Sequence, residues 1–176
     1  MQLELDEAEK IVKAYRRSSP EVVKLWKRVE GAVRHAFTKP KTRIKITDGL
    51  SVIAGKTSFH IILPSGRRLR YNRVKVGKEI IAFGRNNVGQ YGLVKLYGGK
   101  LVGHIIQSLA RELMAFTLLR LDAAGFALIL TVHDEAVALA QRKSFALFQR
   151  LMLELPDWAV GLPVGVDCFK TPRYRK

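Results

Sequence analysis

Residues 127–138 have the sequence Ala-Leu-Ile-Leu-Thr-Val-His-Asp-Glu-Ala-Val-Ala, an apolar run interrupted at its centre by ionisable side chains. Two short runs of β-forming residues around a polar tip predict a β-hairpin. The tip carries His133, Asp134 and Glu135, and adjacent carboxylates can offer oxygen ligands to a hard divalent cation. The same spacing also fits an ordinary polar turn, so the pattern alone leaves both interpretations open.

Helices are predicted on both sides of this hairpin. Apolar residues at helical spacing run from 101 to 124 and stop at Gly125, which favours the left-handed conformation common at helix C-termini. A further helix is predicted over 141–155, and apolar residues over 164–169 predict a closing strand.

The N-terminal segment is predicted to form a helical arm. Asp6 stands at a plausible N-cap of a first helix. Ser19-Pro20 marks the start of a second, since proline is favoured at the first helical position. From 42 to 96, short β-rich runs alternate with turn residues, which predicts an antiparallel meander. We therefore predict an α+β fold.

The charge distribution points to a polyanionic partner. The chain of 176 residues has 31 Lys and Arg against 15 Asp and Glu. Between Lys39 and Lys100 there are 14 basic residues and only Asp48 and Glu79 as acids. Such density suits nucleic acid, because neutralised phosphates release counterions. An acidic membrane surface and simple solubility are the alternatives, but the tract lacks the pattern of an amphipathic helix.

Composition also excludes several classes of protein. Cys168 is the only cysteine, which excludes an internal disulfide and a cysteine-based zinc site. The apolar stretches fall short of the roughly 18 residues that span a bilayer, and the first residues do not resemble a secretory leader. We therefore expect a cytoplasmic protein without membrane contact.

The long helix carries a row of polar residues. Lys100, His104, Gln107 and Arg111 are spaced four, three and four residues apart, which places them on one helical face. This row could be a solvated face, or a line of hydrogen-bond donors that faces nucleic acid.

These patterns together resemble the C-terminal palm portion of family-A DNA polymerases, most closely the phage-type branch. The resemblance rests on the Leu-Pro-Ser-Gly-Arg run at 63–67, on Tyr-Gly-Gly-Lys-Leu at 97–101, on Gln107, and on Thr-Val-His-Asp-Glu at 131–135. The N-terminal arm is similar to the segment that follows the family's fingers helix. The likeness covers nearly the whole chain, and it implies an antiparallel palm-type sheet flanked by helices, with a helical arm at 1–40 and a palm-like domain at 41–176.

The resemblance implies specific roles. Asp134 matches the metal-binding carboxylate, which would hold Mg²⁺ in a complete polymerase site, and Glu135 matches its less essential neighbour. His133 matches a residue that touches the primer end. Gln107 matches a residue that reaches the minor groove, where acceptors are nearly the same for every base pair. The implied partner is a DNA primer–template, with further contacts expected from Lys100, His104, Arg111, Arg67, Arg68 and Arg70.

The sequence departs from the family in two ways. The family usually has an acidic residue where this chain has Gly103, an asparagine at His104 and an aspartate at Glu112. These substitutions put the minor-groove contacts in doubt. The fingers helix and the strand with the second metal-binding aspartate have no counterpart here. Asp134 and Glu135 are consecutive, so on a strand they would point to opposite faces and could not replace that pair. We therefore expect a chain that is inactive alone and needs a separate N-terminal polymerase polypeptide.

Other interpretations remain open. The chain could be a non-catalytic DNA-binding module derived from a polymerase palm, or a small metal-dependent nuclease, although no second ligand cluster is evident for the latter. The apolar faces around Val22, Trp26 and Val29 are expected to be exposed, or to be covered by a partner or in a homodimer.

Overall fold

The described part of the chain folds into helices and two antiparallel sheets. A computed structural model describes residues 5–86, 88–139 and 144–174. The elements in chain order are helices α1 (Leu5–Ser18) and α2 (Pro20–Thr38), strands β1 (Arg43–Thr47), β2 (Leu50–Ala54), β3 (Ser58–Ile62), β4 (Arg68–Val76), β5 (Ile80–Arg85) and β6 (Tyr91–Leu96), helix α3 (Gly98–Ala123), strands β7 (Ala127–Val132) and β8 (Glu135–Leu139), helix α4 (Phe145–Leu153), and a short 3-10 helix (Asp157–Ala159). The predicted α+β class is confirmed.

Strands β1 to β6 form one antiparallel sheet in which each strand pairs with the next along the chain. The predicted meander is therefore confirmed. One face, which we call the inner face, carries buried side chains such as Val52, Phe59 and Ile61, and α2 packs against β1 and β2. Because side chains alternate along a strand, the residues between these point to the opposite, outer face.

Helices α2 and α3 approach closely where α3 begins. A Cβ atom on Gly98 would lie 2.1 Å from the backbone oxygen of Trp26, so only glycine fits there. The Gly98 amide donates to Glu30 Oε2 at 3.0 Å, and Glu30 also pairs with Arg34 at 2.9 Å. Although burial opposes it, these contacts hold the pKa of Glu30 below its ordinary value.

The expectation of an exposed apolar face on the N-terminal helices is wrong for Val29, which is fully buried. Its helix packs on the sheet, and this removes that position from solvent. The more exposed apolar side chains lie on α1, where Ile11 is 54% and Tyr15 49% exposed. Tyr15 stacks on the ring of Trp26. A homodimer stays a prediction.

The second half of α3 belongs with the β7–β8 hairpin and α4. Leu121, Phe126 and Leu151 form their buried core. Gly125 has a φ of 82°, its amide donates to Asp122, and the Phe126 amide donates to Leu121. These bonds are those of a Schellman motif, so the predicted helix stop at Gly125 is confirmed.

Two sequence predictions need correction. No strand forms over 164–169, where the chain is irregular. A strand needs a neighbour for its backbone hydrogen bonds, and apolar alternation alone does not provide one. Asp6 lies inside the first turn of α1 and not at its N-cap. The helix predicted over 141–155 is α4, although 141–143 lie outside the described residues.

By internal contacts the chain divides into two compact units, Met1–Gln107 and Ser108–Lys176. The proposed division into a helical arm and a palm-like domain stays a prediction. Within the described residues, no helix has both the length and the apolar character needed to cross a membrane.

Candidate functional site

The predicted hairpin tip is a two-residue loop. Val132, the last residue of β7, pairs with Glu135, the first residue of β8, so His133 and Asp134 alone connect the strands. All three polar residues of the tip are exposed. His133 has a φ of 53°, a left-handed conformation that costs a non-glycine residue roughly 1–2 kcal/mol. Such strain is frequent at functional sites.

The two carboxylates of the tip have different surroundings. The Tyr174 hydroxyl donates to Glu135 Oε2 at 3.1 Å, and local desolvation followed by this carboxylate raises the pKa of Tyr174. Within the part of the chain that the structure describes, the Asp134 carboxylate has neither a hydrogen bond nor an ion pair. Asp134 is therefore the more available of the two for an external cation.

The chemistry of the tip suits a hard cation, but the ligand set is small. Carboxylate oxygens are the ligands that Mg²⁺ prefers. Among the described residues, no group of three or more His, Cys, Asp or Glu side chains could hold a metal together. Asp134 can therefore contribute one carboxylate ligand to a cation. Its neighbour in the chain, Glu135, is the other carboxylate of the tip.

On α3, the predicted polar row does not have a uniform environment. Gln107 is exposed, whereas Nδ1 of His104 lies 3.0 Å from the Tyr71 hydroxyl. The imidazole also stacks on the Tyr71 ring, which in turn stacks on Phe59 with centroids 4.4 Å apart. His104 is thus built into the inner face of the sheet, and a contact from its ring to DNA would have to use Nε2.

Burial sets the protonation states of His104 and Tyr71. Burial, followed by the charge of Lys100, lowers the pKa of His104. Burial also raises the pKa of the Tyr71 hydroxyl. Near neutral pH the imidazole is therefore neutral and the hydroxyl keeps its proton, which is the state in which a hydrogen bond between them is possible.

The predicted arginines lie at the β3–β4 turn and on the outer face. Arg68 is opposite Ile62, and Arg70 is opposite His60, to which it donates at 3.1 Å. Arg67 is exposed in the turn. Side chains alternate along β4, and Tyr71 points to the inner face, where it contacts His104. The structure therefore places Arg68 and Arg70 on the outer face, opposite to the face of the sheet that holds His104.

Burial, followed by the charges of Arg70 and Arg68, lowers the pKa of His60. A neutral imidazole can accept the hydrogen bond that Arg70 donates. The two arginines therefore lie beside an uncharged His60 ring on the outer face.

Sequence reasoning missed a set of rings on the same outer face. Phe83 and Tyr91 stack with centroids 6.2 Å apart, and Arg73 and Arg85 lie over them. Each strand has one aromatic and one basic residue on this face, Phe83 and Arg85 on β5 and Tyr91 and Lys95 on β6. This signal can be recognised only once the strand register is known.

Of the remaining predicted residues, Lys100 is half-buried on α3 in the first unit and Arg111 belongs to the second. Arg111 is exposed on α3 and falls in Ser108–Lys176 together with the hairpin tip, whereas Gln107 ends the first unit.

The chain is similar to a part of a known phage protein. The chain is 38% identical over 179 aligned positions to the DNA polymerase of Bacillus phage SP02. The alignment covers 97% of this chain and 28% of that polymerase. No protein-family model matches the chain, and no solved structure matches it. The sequence is therefore similar to a part of that phage DNA polymerase, and it spans well under half the length of that relative.

Proposed function

We propose that this chain forms the C-terminal palm portion of a family-A DNA polymerase. The observation that carries the proposal is the exposed two-residue loop, which presents Asp134 between two paired strands within a sequence similar to a phage DNA polymerase. In that role Asp134 supplies one carboxylate of a metal site, His133 contacts the primer end, and Gln107 contacts the minor groove of the new base pair.

The Mg²⁺ of such a site would neutralise charge that develops during phosphoryl transfer. Asp134 would hold it, because its carboxylate is exposed and has no partner within the described residues. Glu135 is already engaged by Tyr174, which fits the lesser role that the resemblance implies for it.

The rest of the site would come from polypeptide outside this sequence. The β7–β8 ribbon supports this, since Ile129 is 57%, Leu130 44% and Leu139 67% exposed. Within the described residues, the ribbon has two strands and hence two unpaired edges. An added strand could satisfy the backbone groups of an edge and cover apolar side chains.

The first unit would hold the primer–template by its charge. Arg68 and Arg70 are exposed on the outer face, and Arg67 is exposed at its turn. Contacts from arginine to phosphate position a duplex without reading its sequence, which suits a polymerase.

A chimeric polymerase tests the proposal. Residues 1–176 replace the corresponding part of the phage SP02 DNA polymerase, and extension of a primed template is measured with Mg²⁺. We expect extension by the chimera and a loss of at least about a hundredfold for Asp134→Asn. Asp122→Asn, an exposed aspartate at the end of α3, is the matched control and should retain activity. A folded chimera that does not extend primers would contradict the proposal.

A non-catalytic DNA-binding module is the second candidate. The observation that favours it is the bond of His104 to Tyr71, which ties a position of the proposed minor-groove row to the core. This candidate predicts salt-sensitive binding of primed duplex that Asp134→Ala leaves unchanged, together with no extension by the chimera.

A further inference from the structure

The β4–β6 end of the outer face carries rings and cations in a regular arrangement. Phe83 is opposite Leu93 and Arg85 is opposite Tyr91 in the strand register. Directly opposed residues of antiparallel strands point to the same side. These four side chains therefore share one surface, which we call the ring face, and Arg73 joins them through its contact with Phe83.

The contacts within the ring face hold the rings in place. The planes of Phe83 and Tyr91 are 23° apart. The guanidinium carbon of Arg73 lies 4.9 Å from the centre of the Phe83 ring, and that of Arg85 lies 5.9 Å from the centre of Tyr91. Arg85 also donates to the carbonyl of Gly89 at 2.8 Å. Each of the two stacked rings thus has one guanidinium within 6 Å of its centre.

The ring face is unusually exposed for its composition. Tyr91 is 72%, Leu93 70% and Phe83 39% exposed. Large apolar side chains that cluster in solvent indicate an interaction surface. Ordered rings offer a ligand a flat platform at a low cost in conformational entropy.

The charge around the rings selects the class of ligand. From Arg68 to Lys95 the sequence has seven Lys and Arg and one acid, Glu79. Glu79 is neutralised by an ion pair with Lys95. Rings supply stacking for nucleobases, and surrounding cations attract phosphates, which together are the features of single-strand binding surfaces. A duplex hides its base faces, so it could use the cations but not the rings.

We propose that the ring face binds single-stranded DNA. Bases stack on Tyr91 and Phe83, while Arg73 and Arg85 contact the flanking phosphates. The choice of DNA over RNA rests on the proposed polymerase function, whereas stacking on the rings does not depend on it. On a primed template, the single strand would be the unpaired part of the template.

Fluorescence anisotropy of a short labelled oligothymidylate tests this. We expect Tyr91→Ala to weaken binding at least about fivefold, as for loss of one stacked base, and Tyr91→Phe to stay within about twofold of the parent chain. Val88→Ala truncates an apolar side chain of the β5–β6 turn that is 77% exposed and lies outside the ring face, and it should bind like the parent chain. Thermal unfolding of each variant checks that it folds.

The outcomes separate the competing occupants. Equal binding by Tyr91→Ala and the parent chain overturns the proposal. An equal loss with Val88→Ala also overturns it, because binding would then depend on exposed apolar side chains in general and not on the ring of Tyr91. Tighter binding of oligouridylate overturns the assignment to DNA. Failure of the chimera to extend primers would leave these binding results unaffected, so the two proposals fail independently.

Discussion

The Tyr71 hydroxyl lies 3.0 Å from Nδ1 of His104, and this bond joins strand β4 to helix α3. Burial, followed by Lys100, lowers the pKa of His104 below its ordinary value of 6.5. The unfolded chain therefore binds a proton at this imidazole at a higher pH than the folded chain does. It follows that the free energy of unfolding falls as the pH drops below the unfolded pKa and through the folded one.

Urea unfolding at a pH above and a pH below the unfolded value measures this loss. His104→Gln should lose less stability on acidification than the parent chain does. The pKa of His60 is lowered as well. The double variant, His104→Gln with His60→Gln, should therefore lose the least stability on acidification. The same acid-induced loss in the parent chain and His104→Gln would contradict the expectation.

The close approach of Gly98 to Trp26 predicts a large cost for a single methyl group. An added Cβ would meet the Trp26 backbone at 2.1 Å, and backbone cannot rotate away as a side chain can. We expect Gly98→Ala to lower the free energy of unfolding by at least about 2 kcal/mol.

Gly103 is the matched control on the same helix. Apart from the adjacent residues and the backbone of its own helix turn, no atom lies within 4 Å of a Cβ built there, and alanine is the better helix former. Gly103→Ala should raise stability by up to about 1 kcal/mol. Chemical denaturation measures the free energy of unfolding of both variants. Similar free energies for the two would show that the backbone moves to relieve the contact at Gly98.

The backbone at His133 predicts a preference that is independent of its imidazole. Both His133→Gly and His133→Ala remove the ring, but only glycine adopts a φ of 53° without strain. We expect the glycine variant to be more stable than the alanine variant by about 1 kcal/mol. Asp134, whose φ is not in the left-handed region, should show no such advantage for glycine. Urea unfolding of the four variants measures the difference.

Local signals predicted most of the fold. Ser19-Pro20 and Gly125 mark helix ends by their own backbone preferences, and the turn residues between 42 and 96 separate strands that pair with their neighbours. The strand predicted at 164–169 failed because a strand requires a partner that alternation does not supply. The His104–Tyr71 bond and the ring face depend on which residues oppose each other across β3 to β6. That register depends on the turns between the strands and on which faces are buried together, and the sequence of a single strand does not contain this information.

The proposed roles of Gln107 and Arg68 differ in their dependence on salt. A neutral amide in the minor groove contributes one hydrogen bond, so Gln107→Ala should weaken primer–template binding by about 1 kcal/mol, or roughly fivefold, equally for all sequences. The salt dependence should stay unchanged, because no phosphate contact is lost. Arg68→Gln should instead reduce the slope of log K against log salt by about 1.

Anisotropy titrations of a labelled primer–template at several salt concentrations measure both quantities. Ile106→Ala, which truncates a 59% exposed neighbour of Gln107, is the control for general disturbance of the helix and should bind like the parent chain. A change of slope in Gln107→Ala would mean that this residue acts through phosphate. An affinity loss confined to some sequences would mean that it reads bases, and either result would remove the minor-groove role.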